Sequence, residues 1–274
     1  MKQFPNFAHK YTWRSGLAVS LLMLLARGTA TGAEPASPSF EGLLDRTGSV
    51  VSRFLDQFSQ VKCTEQVSQA KLGRSGKAEY KEDSTFDYLV LLQANGGDLT
   101  LAESRLAERA PQHKKNLPLL VTNGFSTLLL IFHPSYQRSF QFTPLEDELL
   151  DGKRYARVGF RHVPGMRSTA VLLLRGREYP LDLSGVAWVD RDSGEIVKMS
   201  AELESSMEDV GLRALRSEVQ YAPVRFLGAK EEFWLPVSAS IDVETPRQHW
   251  RNLHRFTEYQ KFSTSVQSKI AENP

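Results

Sequence analysis

From Phe40 the apolar positions recur at spacings of three, four and seven: Phe40, Leu43, Leu44, Val51, Phe54, Leu55 and Phe58. That rhythm puts them on one face of a helix running to about residue 60, and Ser39 is placed to cap its first turn. At Val61 the period changes to two. "VKCTEQVSQAKL" runs into the polar corner "GRSGK", and "STFDYLVLLQA" meets Asn95-Gly96-Gly97-Asp98 ahead of "LTLAESRLAE". Asn-Gly between apolar runs is a strong hairpin signal, because both residues tolerate positive φ. "APQHKKN" reads as a polar loop.

The segment 117–133, dense in Leu, Val, Ile and Phe, predicts a mostly buried helix stopping at Pro134; a pair of buried strands broken at Asn123-Gly124 is the competing reading. Everything afterwards reads as meander. "SYQRSFQF", "KRYARVGFRHV", "TAVLLLRG", "EYPLDLSGVAWVD", "EIVKMSAELES", "LRALRSEVQYAPVRF", "FWLPVSASIDVE" and "HWRNLHRFTEYQKF" follow one another across Gly-containing or charged turns. No helix separates them, so the pattern means an antiparallel sheet and not β-α-β units. Alternation sorts the faces. Ala156, Val158, Phe160 and His162 oppose Tyr155, Arg157, Gly159 and Arg161; Val237, Ala239, Ile241 and Val243 oppose Ser238, Ser240, Asp242 and Glu244. One face is dry and one is wet. So many one-sided strands must curl, and two helical pieces rich in Phe and Leu are available for the concave side. The predicted fold class is α+β: a curved antiparallel sheet forming an unclosed β-barrel, its concave face covered by helices.

The N-terminus changes the picture of where this sheet works. Lys2, His9, Lys10 and Arg14 precede the apolar stretch Leu17 to Ala26, and small residues at Thr31 to Ala33 suit cleavage. Ten helical residues rise only about 15 Å, half a bilayer core, so a spanning segment is not expected. The division that follows is a signal peptide at 1–33, a Pro/Ser linker at 34–39, one half-barrel domain at 40–264 and a tail at 265–274. The chain is expected to be periplasmic or secreted and not membrane-spanning once processed. The 274 residues carry a formal charge of +2, but the first 33 hold four basic residues and no acids, leaving 30 basic against 32 acidic residues, net −2. A near-neutral mature chain argues against nucleic acid as a partner. Cys63 is the one cysteine, so no internal disulfide forms and the fold rests on burial; its strand-like setting suits a small buried residue better than a reactive thiol.

Candidate chemistry is sparse. His249 and His254, five apart on a strand, point to opposite faces and cannot share a metal, and a single thiol builds no thiolate site. No Gly-x-Ser-x-Gly, Gly-x-Gly-x-x-Gly or Walker loop occurs, so neither a cofactor nor a metal is expected. Carboxylates gather at Glu146, Asp147, Glu148 and Asp151 and at Glu231-Glu232. An exported hydrolase could draw on them, though a solvated turn face explains them more simply. Large apolar side chains dominate instead. Phe54, Phe125, Leu129, Phe132, Trp188 and Trp234 are the expected liners of a hydrophobic ligand-binding cavity, with a solid core as the plainer alternative.

"LSGVAWVDRDSGEIVKM" (Leu183 to Met199), "FWLPVSASIDVE" (Phe233 to Glu244) and "RNLHRFTEYQKF" (Arg251 to Phe262) together resemble the periplasmic lipoprotein-carrier superfamily. That group includes LolA/LolB-like carriers and receptors and RseB-type sensors. The resemblance follows the order of elements over residues 40–262 on short, degenerate motifs. It implies a non-enzymatic protein holding a lipid, an acylated protein or another hydrophobic ligand, with a lipoprotein or an envelope protein as partner. A structural or protein-interaction domain of the envelope is the alternative.

Overall fold

A computed structural model describes residues 39–95, 98–109, 124–126, 128–174, 176–226 and 232–261. The expected signal peptide, most of the linker, the polar loop 110–116 and the tail lie outside the described residues. Among those described, no helix is long and apolar enough to cross a membrane.

The period-3.6 segment is helix α1, Phe40–Phe58, and the Ser39 hydroxyl accepts a hydrogen bond from the Gly42 N–H at 3.1 Å. Capping there satisfies one of the orphan amides of the first turn. Its buried face is Leu43, Val50, Val51, Phe54, Leu55 and Phe58.

The period-2 segments are strands β1 (Val61–Leu72), β2 (Ala78–Asn95), β3 (Asp98–Arg109), β4 (Phe140–Leu150), β5 (Lys153–His162), β6 (Val171–Leu174), β7 (Arg177–Pro180), β8 (Leu183–Val189), β9 (Ile196–Leu203), β10 (Ala214–Arg225), β11 (Glu232–Glu244) and β12 (His249–Lys261). Ten of them form one antiparallel sheet in the order β3-β2-β1-β12-β11-β10-β9-β8-β5-β4. Edge strands β3 and β4 do not pair, so the sheet is not closed into a barrel. Two corners behave as their residues dictate. The β2–β3 register ends at Asn95↔Asp98, and the β4–β5 register ends at Leu150↔Lys153. Asp151 and Gly152 between the latter take φ 50° and 81°, the left-handed pair that fits the twist of a two-residue hairpin.

Two departures from the sequence reading have physical causes. The described part of 117–133 is no long helix: Leu128–Phe132 is a 3-10 segment, and Pro134 begins a short helix α2, Pro134–Gln137, instead of ending one. Gly124 takes φ 83°, which no helix continues through, and proline is at home in a helix's first turn. All five residues of the 3-10 segment are buried, so the run has no wet face from which a period could be read. The second departure is that β6 and β7 pair only with each other, so "EYPLDLSGVAWVD" is two strands in different sheets.

The connection from β3 to β4 runs from one edge of the large sheet to the other. That places the 3-10 segment and α2 beside α1: α1 contacts both of them, and also β2 and β11. One core joins them, with Val51, Phe54 and Phe58 of α1, Leu129 and Phe132 of the 3-10 segment, and Val158, Met199, Val219 and Ile241 of the sheet.

Candidate functional site

The β8–β9 corner is the anchor on which α1 sits. The Asp190 carboxylate accepts from the Asp192 and Ser193 N–H groups at 2.9 and 3.1 Å, and Gly194 takes φ 78° to close the turn. Burial alone would raise the Asp190 carboxyl, but hydrogen bonds from Lys153, Ser193 and Asp192 outweigh it and hold the group below its usual range. The turn leaves two carbonyls facing the helix. Arg46 donates to the Arg191 carbonyl at 2.6 Å and the Asp192 carbonyl at 3.3 Å. A Cβ on residue 194 would lie 2.8 Å from the Arg46 Cγ, so only glycine lets the arginine pass. On the other flank, the Gln137 side-chain amide donates to the Leu44 and Phe132 carbonyls at 3.2 and 2.9 Å, tying α2 and the 3-10 segment to α1.

Between these ties lies a cavity of about 290 Å³. Val50, Val51 and Phe54 of α1, Leu129, Ile196 of β9 and Trp234 of β11 are its apolar lining; Arg53, Gln57, Glu195 and Glu232 are its polar one. Phe54 is fixed by ring contacts, 5.1 Å from Phe58 and 6.0 Å, edge-on, from Tyr221. Trp234 is held by its indole N–H, which donates to the Ile196 carbonyl at 2.7 Å. A register shift between β10 and β11, with Gln220 opposite Ser238 but Tyr221 opposite Pro236, resets the alternation and puts Trp234 on the Phe54 side.

Of the six expected liners, the structure brings Phe54, Leu129 and Trp234 together at this cavity. Phe132 is fully buried elsewhere, 5.0 Å from Phe142 and 6.2 Å from Phe160, and Phe125 packs on the core without lining the cavity. Trp188 belongs to the opposite face. Its strand neighbours Ala187 and Val189 are in the core, while Trp188 lies between its cross-strand partners Arg157 and Lys198, whose cationic groups stand 5.7 and 4.8 Å from its ring. Its N–H donates to Glu148 at 3.1 Å. Alternation along Ala187-Trp188-Val189 carries this information; ring size does not. The liners missed by the sequence reading are Val50, Val51, Ile196 and the four polar residues. Val50 and Val51 neighbour Phe54 on the helical wheel, which was the available signal.

The dry face also carries charge. Glu65 is fully buried on β1, and its carboxylate accepts from Arg105 of β3 at 2.5 and 3.0 Å and pairs with His254 of β12 at 2.8 Å. Arg105 also pairs with Glu103 at 3.0 Å. Burial acts to raise Glu65, but the hydrogen bonds and charges of His254 and Arg105 prevail and lower it; burial raises Glu103 and prevails there. Cys63, one position along the same face, is buried, and burial pushes its thiol up to about 12.

Of the candidate carboxylates, Glu231 lies outside the described residues, and Asp147 and Glu148 make structural contacts. Asp147 makes a two-pronged pair with Arg191, at 2.7 and 3.1 Å, and Glu148 pairs with Arg157 at 3.3 Å besides holding Trp188. His249 pairs with Asp242 at 3.1 Å, whereas the buried His254 pairs with Glu65, so the two histidines share no partner. Among the described residues no group of three His, Cys, Asp or Glu side chains is placed to hold a metal.

No protein-family model and no curated protein matches the chain. Similar solved structures include a DUF1329 family protein from Desulfovibrio piger, 13% identical with a TM-score of 0.42, the match covering 81% of this chain and 94% of that one. A LolA superfamily protein from Nitrosomonas europaea is 11% identical with a TM-score of 0.35, covering 79% and 94%. A domain assigned as an outer membrane lipoprotein-sorting protein, from Vibrio parahaemolyticus, is 11% identical with a TM-score of 0.34, covering 82% and 95%.

Proposed function

We propose that the chain is an exported, non-enzymatic binding or sensing protein that holds a hydrophobic ligand between α1, the 3-10 segment and the inner face of the sheet. In this reading 1–33 is its signal peptide, 40–264 its binding domain, and the two helical pieces roof the concave side. The observation that carries it is the cavity of about 290 Å³, walled by Val50, Val51, Phe54, Leu129, Ile196 and Trp234. Six apolar side chains around one space, with polar groups at its edge, are the lining that suits an amphiphilic guest. Each buried methylene contributes about 0.8 kcal/mol, and association costs at least about 4 kcal/mol, so several carbons must enter before binding is net favourable.

Titration of the delipidated protein with a fluorescent fatty acyl probe tests this. Saturable uptake, abolished when Leu129→Trp fills the space in a chain that still unfolds cooperatively, is the expected result. Native mass spectrometry of protein purified from a bacterial host is expected to show co-purified lipid. Absence of both uptake and lipid overturns the proposal in favour of an interaction domain with a solid core.

A further inference from the structure

The rim of the cavity says what kind of hydrophobic ligand fits. Four polar residues stand there, and two of them are already engaged. Glu232 is ion-paired with Arg225, whose Nε lies 2.9 Å from the carboxylate, and Glu195 accepts from the Ser193 hydroxyl at 3.1 Å. Arg53 and Gln57 stand one helical turn apart on α1, on the same side. Arg53 is exposed, and among the described residues no carboxylate pairs with it. A guanidinium fork at the mouth of an apolar hole, backed by an amide donor, matches a carboxylate or phosphate head. The glutamates on the sheet side repel the same head, which fixes it to the helix side of the rim.

Volume sets the tail. A cavity of about 150 Å³ takes a six-carbon ring, so a space of about 290 Å³ holds roughly a dozen carbons. That is one medium-length chain; the two or three chains of a diacyl lipid or a lipoprotein anchor do not fit together in it. Resting on the binding function proposed above, we infer that the ligand is a single-chain anionic amphiphile of the medium-chain fatty acid class, with its chain between Phe54 and Trp234 and its head on Arg53 and Gln57.

The test is a calorimetric titration of the full delipidated chain with octanoate, dodecanoate, hexadecanoate, dodecyl phosphate, dodecanol, dodecyltrimethylammonium and a tripalmitoylated lipopeptide. Dodecanoate is expected to bind best among the carboxylates, and dodecanol and the ammonium more weakly. Because Arg53 is exposed, Arg53→Ala keeps the fold and is expected to weaken dodecanoate about fivefold while leaving dodecanol unchanged. Dodecyl phosphate binding more tightly than dodecanoate, and equally dependent on Arg53, assigns the head to a phosphate monoester within the same anionic class. Equal binding of dodecanol and dodecanoate, with Arg53→Ala inert, overturns the head-group assignment and leaves the cavity reading standing. Lipopeptide binding as tight as dodecanoate overturns the single-chain assignment. No binding by any probe overturns both this inference and the function on which it rests.

Discussion

Removing the Glu65 carboxylate tests whether the inner face of the sheet carries a true buried ion cluster. Glu65 is fully buried and receives two contacts from Arg105, at 2.5 and 3.0 Å, and one from His254, at 2.8 Å. Breaking a buried pair by deleting one partner costs about 3–5 kcal/mol, because the remaining charge stays out of water. Arg105 keeps its contact with Glu103, 3.0 Å away, so the cost of Glu65→Ala belongs at the lower end, about 3 kcal/mol. The assay is urea unfolding followed by tryptophan fluorescence, with Arg105→Ala and the double variant completing a cycle. A coupling of at least about 1.5 kcal/mol between the two sites is expected, since a charged hydrogen bond contributes about that much. The pH dependence carries a sign. A carboxyl lowered on folding contributes stability that is complete above its unfolded value, about 4.3, and is lost as pH falls through the folded value below that. The gap between wild type and Glu65→Ala is therefore expected to be full at neutral pH and to close under acid. Additive single variants, or a loss below about 1 kcal/mol, would refute the cluster as a stabilising unit.

Three further expectations follow from close approaches and burial. Gly185→Ala sets a Cβ against the Ser200 carbonyl oxygen, 2.6 Å from the Phe160 ring and 2.9 Å from the Ala201 Cα; a loss of about 3 kcal/mol in the same urea assay is expected, and an unchanged midpoint contradicts the β8–β9 packing. Gly48→Ala would ordinarily strengthen a helix by about 1 kcal/mol, but here the methyl lands 3.2 Å from the Phe132 carbonyl and 2.8 Å from the Gln137 amide, so destabilisation is expected, and a gain shows that α1 does not lie so close to the 3-10 segment. Cys63, buried with its thiol pushed up to about 12, is expected to resist a disulfide reagent at mildly alkaline pH until urea unfolds the chain; prompt reaction of the native protein contradicts its placement.

What the sequence made legible depended on how local the cause was. The period and cap of α1 are written within one segment, as are the alternation Ala156-Val158-Phe160-His162 and the left-handed pair Asp151-Gly152, and each has its counterpart in the structure. Alternation even places Glu65 on the same face as Cys63 and Val67, yet its partners Arg105 and His254 lie 40 and 189 residues away, where no local rule reaches. The pairing of β1 with β12, which joins the two ends of the described domain, is equally non-local.

The two tryptophans at the sheet show the same limit at the site itself. Trp188 and Trp234 are alike in size and both sit in strands, but one is covered by Arg157 and Lys198 and the other lines the cavity. Parity alone assigns the first correctly, because β8 keeps its alternation through Ala187-Trp188-Val189. It misplaces the second, because the shift at Tyr221↔Pro236 adds one residue to β11 and breaks the count by which Trp234 would be assigned from Ala239, Ile241 and Val243. Proline lacks the N–H that a regular ladder needs, so Pro236 was the local hint that β11 changes register there. Removing the bulge by deleting Val237 is therefore predicted to swing Trp234 out of the cavity. Acyl-probe uptake then disappears and the Trp234 indole loses its bond to the Ile196 carbonyl, whereas uptake at the unaltered level would show that the register shift does not set the site.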